Sequence, residues 1–391
     1  MNNQVVDRID MIDVYINKMA VFLPNDPVKN DDMESILGMI DNKPSLVKRI
    51  VLKSNKIKTR YYAIDPITNE STHSNAKLAA LAIEKLGKNG FDINSAELLA
   101  CGTTTPDQLL PSHALMVHGE TDLKPIEVVS IAGICLSGLT ALKYAYGAIK
   151  SGEIDSAIST GSENISASMR GRNFEPEVQT KVDMIKRNKE LTFEKDFLRW
   201  MLSDGSGAIG VSNKPNSDCL SLRIDKIFSK SYASQEETCM YSGCEKLKDG
   251  TIKGYREFTP DEWLKKSIFS VKQDVKLLNK HILDYTVAKP LTEMLEKNLF
   301  KPEEIDWFLP HYSSGYFREK LYDVMKDVNC DIPQEKWFTN LSTKGNTGSA
   351  SIYIILEELF NSDKLKKGQK ILCYIPESGR FSTAFMLLEV V

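Results

Sequence analysis

The sequence lacks several patterns that would point to common classes of protein. Its seven cysteines show no paired Cys-x-x-Cys spacing, and its five histidines show no metal-ligand spacing. No Gly-x-Gly-x-x-Gly follows a predicted strand, and there is no phosphate-loop motif. No apolar run approaches the roughly 20 residues needed to span a bilayer, and no signal sequence opens the chain. We therefore expect a reduced, cytoplasmic protein with no metal, no cofactor and no membrane span.

Charge and length narrow the class further. The net charge is −3 and the basic residues are dispersed, so nucleic acid is not an expected partner. At 391 residues the chain exceeds one ordinary core, and strands that alternate with helices predict two α/β halves. A polar, turn-rich run at 213–218 (NKPNSD) lies between apolar strands and predicts the join, which gives halves 1–215 and 216–391.

Cys135 lies at a predicted strand-to-helix junction flanked by small residues, in the segment 131–138 (IAGICLSG). The run 126–131 is mostly apolar and predicts a buried strand, and 139–149 shows helical spacing of Ala, Leu and Tyr. Because a helix N-terminus favours a thiolate, we expect a lowered pKa for Cys135. Gly133 and Gly138 would let a substrate approach the backbone. The alternative is an inert core cysteine.

Two downstream segments supply what a nucleophilic thiolate needs. Residues 306–310 (DWFLP) predict a short buried strand, and His311 follows it, ahead of a helix starting near Gly315. Residues 340–350 (NLSTKGNTGSA) predict a loop before an apolar helix, and Asn346 can donate from its amide without carrying charge. Taken singly, His311 is more often a structural histidine and Asn346 a turn residue. Together with Cys135 they form a recognised arrangement, in which imidazole activates or polarises and the amide fixes a carbonyl oxygen.

Further motifs, in order along most of the chain, are 101–107 (CGTTTPD), 110–112 (LPS), 151–152 (SG), 160–163 (TGSE), 202–208 (LSDGSGA), 345–347 (GNT) and 379–382 (GRFS). With Cys135 and His311 they resemble the β-ketoacyl carrier-protein synthase III family of the thiolase superfamily. The resemblance implies an α/β chain with the thiolase-like duplicated five-layer α-β-α-β-α fold.

The resemblance also implies an activity, that of a condensing acyltransferase. Cys135 would take an acyl group from a thioester, while His311 and Asn346 bind the carbonyl of the second substrate as its carbanion forms. The backbone N–H groups of Cys135 and Gly379 would form an oxyanion hole. An acyl carrier protein would be the partner, and the enzyme would be a homodimer. Arg60, Arg318 and Lys320 are candidates for meeting the carrier's negative surface, although such scattered cations usually mean only a solvated face.

Departures from the family pattern bear on the substrate. His311 is followed by Tyr-Ser-Ser instead of Gln-Ala-Asn, and 50–62 lacks the tryptophan and Thr-Gly-Ile of the housekeeping enzymes, keeping only Ile57 and Arg60. This favours acyl groups that arrive on carrier protein over a free coenzyme A primer. The variant resembles the ketosynthases that condense two acyl chains and close a cyclohexanedione or dialkylresorcinol ring. Two polar insertions, 169–200 and 229–280, would reshape the acyl tunnel or the dimer contact, or form solvated surface helices.

Ring closure would need a further proton acceptor, for which Glu163 is the candidate because it follows a predicted buried strand. The alternative is a structural carboxylate satisfied by backbone N–H groups. Other readings of the chain also stay open: a housekeeping-type decarboxylating synthase, an acyltransferase that forms no carbon–carbon bond, and a non-catalytic partner subunit.

Overall fold

A computed structural model describes residues 12–176 and 197–391 of the chain. Most of the first predicted insertion, 177–196, lies outside the described residues. The strands are β1 Tyr15–Phe22, β2 Val28–Lys29, β3 Thr59–Arg60, β4 Leu98–Thr103, β5 Glu127–Ala132, β6 Ser156–Glu163, β7 Gly205–Ser212, β8 Leu222–Ser231, β9 Met240–Tyr241, β10 Cys244–Lys246, β11 Ile252–Gly254, β12 Lys272–Gln273, β13 Trp307–Pro310, β14 Lys370–Glu377 and β15 Ser382–Val390.

The α-helices are α1 Met33–Leu37, α2 Lys48–Asn55, α3 Asn75–Lys88, α4 His113–Gly119, α5 Ser137–Lys150, α6 Pro260–Lys265, α7 Val275–Leu283, α8 Lys289–Glu296, α9 Arg318–Asp327, α10 Leu341–Lys344 and α11 Ser351–Phe360. A π-helical turn, Asp284–Ala288, joins α7 to α8. Short 3₁₀ turns are Ser166–Met169, Gly171–Phe174, Tyr255–Glu257, Pro302–Glu304, Gly315–Phe317, Gln334–Lys336 and Gly348–Ala350. The described helices include none that is both long and apolar enough to cross a bilayer.

One mixed sheet of nine strands organises the molecule, in the order β13-β14-β15-β8-β1-β7-β6-β4-β5. Its two sides repeat one pattern: β4 and β6 are parallel, β6, β7 and β1 are antiparallel in turn, and β13, β14, β15 and β8 follow the same scheme. The sides meet where β1 and β8 share two residue pairs, Tyr15 with Arg223 and Ile16 with Leu222. The division at residue 215 stays a prediction, and it falls in the connection between β7 and β8.

Three hydrophobic clusters give the arrangement its layers. One joins α3 and α4 to the outer face of β4 and β6, and another joins α7, α8 and α9 to the outer face of β13, β14 and β15. Between them, α5 and α11 share a cluster with strands of both sides, and this cluster includes Leu142, Leu356 and Met386. Burying one apolar face of each sheet half against each helix layer produces helix, sheet, helix, sheet, helix.

Small residues let the two central helices approach closely at their N-terminal ends. A Cβ placed on Gly138 would lie 2.3 Å from the carbonyl oxygen of Ser349, and one on Gly161 would lie 2.5 Å from the same atom. The Tyr353 hydroxyl donates to the Gly138 carbonyl at 2.8 Å. Gly138 therefore serves the contact between α5 and the turn before α11. The expectation that it admits substrate to the backbone is wrong, because that face is filled by protein.

The strand before Cys135 is present but is not buried as predicted. In β5, Glu127, Ser130 and Ala132 are exposed and the other residues are only half-buried. The reason is position: β5 pairs in parallel with β4 and ends the sheet, so its other edge has no strand partner among the described residues. The apolar, β-branched residues of β5 therefore lie on an edge strand whose outer backbone groups are unpaired in the single chain.

Candidate active site

Three loops at the ends of strands and helices carry the predicted catalytic side chains. Cys135 lies in the turn between β5 and α5, and His311 directly follows β13. The His311 backbone N–H donates to the Tyr374 carbonyl at 2.8 Å, which holds it beside β14. Asn346 lies between α10 and the Gly348–Ala350 turn, where its N–H donates to the Met201 carbonyl at 3.0 Å. The predicted order of strand, site residue and helix is confirmed at Cys135 and His311, and Asn346 lies before the predicted apolar helix, α11.

Two narrow cavities meet at Cys135. The first, here called the insertion-side cavity, has a volume of about 50 Å³ and is lined by Asn346, Glu163 and residues of both insertions. The second, the histidine-side cavity, has a volume of about 40 Å³ and is lined by His311. Cys135, Leu278, Ser313 and Ser378 line both. The structure thus places Asn346 and His311 on two cavities that share Cys135 as a wall residue, while the catalytic roles of the three residues stay predictions.

His311 is held as a neutral imidazole. Only 3% of the residue is exposed, and burial lowers its pKa to about 4. No residue in 12–176 or 197–391 forms a hydrogen bond with its ring. At pH 7 the ring therefore has one N–H donor and one free lone pair for a ligand in the cavity.

The amide of Asn346 is oriented by its own loop. Its Oδ1 accepts from the Gly348 N–H at 3.0 Å, and the residue is 4% exposed. Because the carbonyl side of the amide is occupied, the Nδ2 group is the side left for a ligand. Within the described chain no group accepts from Nδ2, so a substrate carbonyl is a suitable partner.

The expectation of a lowered pKa for Cys135 is wrong. Burial raises the pKa of the thiol, and the carboxylates of Glu377 and Glu163 raise it further. The N–H groups that would have stabilised a thiolate are engaged, since Oε2 of Glu377 accepts from Ile134 N at 3.1 Å and from Leu136 N at 3.3 Å. Cys135 therefore rests as a thiol, half-buried on the cavity wall, and loading it requires a proton acceptor.

Glu163 is a well-satisfied carboxylate at the end of β6. Its Oε1 accepts from the backbone N–H of Thr104 at 3.1 Å and of Ser349 at 3.0 Å, and its Oε2 accepts from the Thr105 hydroxyl at 2.8 Å. Burial raises its pKa, which these hydrogen bonds oppose. The contacts support the structural alternative, because they tie the loop after β4 to the turn before α11. Its role as a cyclisation base stays a prediction.

The backbone beside Cys135 differs in detail from the predicted oxyanion hole. Gly379 packs against the nucleophile turn, where a Cβ would lie 2.9 Å from Ile134 Cδ1, and its carbonyl accepts from Cys239 N at 2.8 Å. Ser378, which precedes Gly379, is one of the three residues that line both cavities together with Cys135. The N–H of Ser378 is thus a second candidate beside that of Gly379, and neither role is tested by the geometry alone.

The three cations expected to meet a carrier protein have different environments. Arg60 is fully buried, its guanidinium donating to the Trp200 carbonyl at 3.0 Å, so a surface role for it is wrong. Arg60 lies in β3, and its Cβ packs beneath Gly345 of the asparagine loop, where a Cβ on the glycine would lie 3.0 Å away. Arg318 is partly buried and donates to Gln334 Oε1 at 2.7 Å, whereas Lys320 is exposed and bonds to the Tyr316 hydroxyl. For Lys320, the predicted contact with an acyl carrier protein therefore stays a prediction.

Both insertions contribute to the insertion-side cavity. Phe197 and Leu198 come from the end of the first, and Met240 and Val271 from the second. Their apolar side chains match the alternative in which the insertions reshape an acyl tunnel. The second insertion also folds into small two-stranded pairs, β10 with β11 and β9 with β12.

Sequence reasoning missed three site residues. Ser378 and Gln273 line the insertion-side cavity, with Ser378 Oγ 3.3 Å from Gln273 Oε1, and Glu377 reaches the nucleophile turn. The signal for Glu377 was a carboxylate at the end of an apolar strand, two residues before the Gly379 motif. In the two described ranges there is no group of three or more His, Cys, Asp or Glu side chains placed to hold a metal.

Comparison with known proteins agrees with this geometry. Residues 295–381 match the family described as 3-oxoacyl-[acyl-carrier-protein (ACP)] synthase III C terminal, and 66–200 match the thiolase N-terminal domain. β-Ketoacyl-[acyl-carrier-protein] synthase III of Clostridium perfringens is 27% identical over 359 residues, which cover 90% of this chain and 92% of the relative. The Aquifex aeolicus synthase III is 26% identical, with the same coverage.

Solved structures share the fold. AbyA1, a tetronic acid condensing enzyme, superimposes with a TM-score of 0.71 at 20% identity, covering 96% of this chain and 99% of that one. Xanthomonas campestris OleA with bound lauric acid and lauroyl-CoA gives a TM-score of 0.69 at 18% identity, with the same coverage. The predicted thiolase-like α/β fold is confirmed. The chain is an enzyme of the acyltransferase class, and it is similar in sequence to 3-oxoacyl-[acyl-carrier-protein] synthase III enzymes over most of its length.

Proposed function

We propose that this enzyme takes an acyl group onto Cys135 from a thioester and condenses it with a second acyl chain borne by an acyl carrier protein. The observation that carries the proposal is the meeting of two cavities at one thiol. The insertion-side cavity has largely apolar walls, and the histidine-side cavity adds His311 and further apolar residues such as Ile282 and Phe317. A thiol at such a junction can hold one chain in each direction.

The chemistry follows from the groups at the junction. The Cys135 sulfur adds to the thioester carbonyl, and backbone N–H groups beside it stabilise the oxyanion before the carrier thiolate leaves. The enolate of the second thioester forms when a malonyl-type chain loses carbon dioxide, or when a β-ketoacyl chain loses its acidic α-proton to water. His311 and Asn346 donate to its carbonyl oxygen and so stabilise the enolate. The enolate carbon attacks the acyl carbon on Cys135, a carbon–carbon bond forms, and the Cys135 thiolate is released. Both donors are neutral, and their hydrogen bonds can stabilise the enolate without a metal.

The finer proposal is that both chains arrive on carrier protein and that the product closes to a cyclohexanedione or dialkylresorcinol. It is supported by the departures at 50–62 and 312–314, and by walls built from both insertions. The small volume of the cavities means that chains enter only when side chains such as Met201 and Met240 move aside, which flexible thioethers permit.

We also propose a homodimer joined through β5. The exposed edge of this strand offers unpaired backbone groups to a second copy across a two-fold axis, which would extend the sheet. Sedimentation should give twice the chain mass of 44.0 kDa. Ser130→Arg should return the single-chain mass, since each new cation would face its own copy. A monomeric parent protein at micromolar concentration would contradict the proposal.

The test of the activity is to incubate the enzyme with a β-ketoacyl carrier protein and an α,β-unsaturated acyl carrier protein, and separately with malonyl carrier protein. Mass spectrometry of the intact protein follows the acyl group on Cys135, and product masses report condensation. A cyclic dione or resorcinol supports the finer proposal, and an open β-ketoacyl product supports condensation alone. Loading without any carbon–carbon product would replace the proposal with simple acyl transfer.

Each cavity should govern the length of a different chain. Val271 lines only the insertion-side cavity, and Leu283 lines only the histidine-side cavity. We expect Val271→Trp to lower kcat/KM for one long-chain substrate about 10- to 100-fold while short chains change less than about threefold. Leu283→Trp is the matched variant and should restrict the other substrate. If both variants restrict the same chain, the assignment of one cavity to each chain fails.

A further inference from the structure

Glu377 is placed to act on the nucleophile from the other half of the chain. It ends β14, and its Oε2 accepts hydrogen bonds from the N–H groups of Ile134 and Leu136, the residues on either side of Cys135. These bonds join positions 243 and 241 residues apart in sequence. The carboxylate therefore straddles the nucleophile turn instead of merely lying near it.

Two glycines leave room for this side chain. A Cβ on Gly379 would lie 3.3 Å from Glu377 Oε1, and one on Gly133 would lie 3.6 Å from Oε2. While Oε2 is fixed by two N–H groups, Oε1 accepts no hydrogen bond from any residue in the described ranges. One oxygen thus anchors the carboxylate and the other remains available to receive a proton.

We propose that Glu377 accepts the thiol proton of Cys135 when the enzyme is loaded, so that the two side chains form a proton-sharing pair. The inference rests on the proposed function of Cys135. In this scheme Glu377 serves the loading step, and His311 and Asn346 bind only the carbonyl of the second substrate.

The proton balance of the step is internal. The S–H proton moves to Oε1 of Glu377, and the sulfur forms its bond to the acyl carbon of the incoming thioester. Collapse of the tetrahedral intermediate breaks the bond to the carrier sulfur, and that thiolate leaves with the proton returned by Glu377. Total charge in the turn is unchanged, since a thiol with a carboxylate becomes a thiolate with a carboxylic acid.

The surroundings favour this exchange. Burial raises the pKa of Glu377, which its two backbone hydrogen bonds oppose, so the group is a better base than an exposed carboxylate. Glu377 lies behind the nucleophile turn and lines neither cavity, whereas the titratable groups that line the cavities with Cys135 are Glu163, His311, Tyr312 and Tyr374. Glu163 is held by three neighbouring residues and the Tyr374 hydroxyl bonds to Thr286 Oγ1 at 2.7 Å. His311 is the competing base.

Glu377→Gln tests the proposal, because the amide oxygen can still accept from Ile134 and Leu136 while the charge and the basicity are lost. The rate of Cys135 acylation by an octanoyl thioester is measured by intact mass between pH 6 and 8. In the parent enzyme an internal transfer makes this rate independent of pH. In E377Q the thiol must ionise to solvent, so the rate should rise about tenfold per pH unit below the thiol pKa. Alkylation by iodoacetamide should show a midpoint about one pH unit lower, because a like charge is removed.

Glu389→Gln is the charge-matched control, since Glu389 pairs with Arg223 at the far end of β15 and should keep the parent profile. If acylation of E377Q stays independent of pH and its alkylation midpoint does not move, the proposal is overturned and His311 becomes the base. Failure of the parent enzyme to load any thioester at Cys135 would instead overturn the proposed function. The alkylation profile still reports the coupling of Glu377 to Cys135 in that case.

Discussion

Cys135→Ala should abolish covalent acylation and reduce product formation by on the order of 10⁴-fold or more, because no other group can hold the acyl chain at the junction of the two cavities. The fold should be unaffected, since the side chain is half-buried on a cavity wall and its removal takes away one sulfur atom. Intact mass after incubation with acyl carrier protein measures the first effect. Product mass measures the second.

Cys219→Ala provides the comparison for that result. Cys219 is exposed, and within 12–176 and 197–391 it bonds only to Lys18, whose Nζ lies 3.2 Å from its sulfur, so it reports adventitious acylation of an accessible thiol. We expect this variant to load and turn over as the parent does. Acylation that survives Cys135→Ala and disappears with Cys219→Ala would contradict the assignment of the nucleophile.

His311→Ala and Asn346→Ala should separate loading from condensation. Each removes one neutral donor to the second carbonyl, so condensation should fall about 10²- to 10³-fold while acylation of Cys135 changes by only a few-fold. The double variant should be little worse than either single one, because one donor alone cannot hold the enolate. Single-turnover mass spectrometry resolves the two steps. A loss of loading as large as the loss of condensation would contradict these roles.

The pH dependence gives the same assignment a second test. Because burial lowers the pKa of His311 to about 4, the ring is neutral throughout the range from pH 6 to 8. The ionisation of His311 should therefore leave the rate of condensation in the parent enzyme unchanged across that range. The rate should fall only as the pH drops toward 4 and the ring gains a charge. If the rate instead changes with a midpoint near pH 6.5, and this change is lost in His311→Ala, the histidine ionises as an ordinary exposed one does.

The local frame of the site could be predicted from the sequence. The short strand before His311, the loop around Asn346 and the helix after Cys135 all carry hydrophobic patterns within a dozen residues, and the structure has each of them. Such patterns report which face of an element is buried, which is a local property. Their spatial meeting was expected only through the family resemblance.

The parts that could not be predicted depend on contacts between distant segments. The raised pKa of Cys135 comes from burial and from Glu377, which reaches across from the opposite half. Exposure of β5 follows from its place at the end of the sheet, which its composition does not reveal. Arg60 looked like a surface cation, yet it is buried because the Trp200 carbonyl and the Asn30 side chain accept from its guanidinium.

The close fit at Ser349 has a consequence for how this enzyme can change over time or by design. With Gly138 and Gly161 pressed against one carbonyl, the nucleophile turn and the asparagine loop cannot shift independently. The adjustable parts are elsewhere, in the Met, Phe and Val side chains that the insertions lay along the insertion-side cavity. New substrates are therefore most readily accommodated by substitutions in those two segments, which leave the positions of Cys135 and Asn346 unchanged.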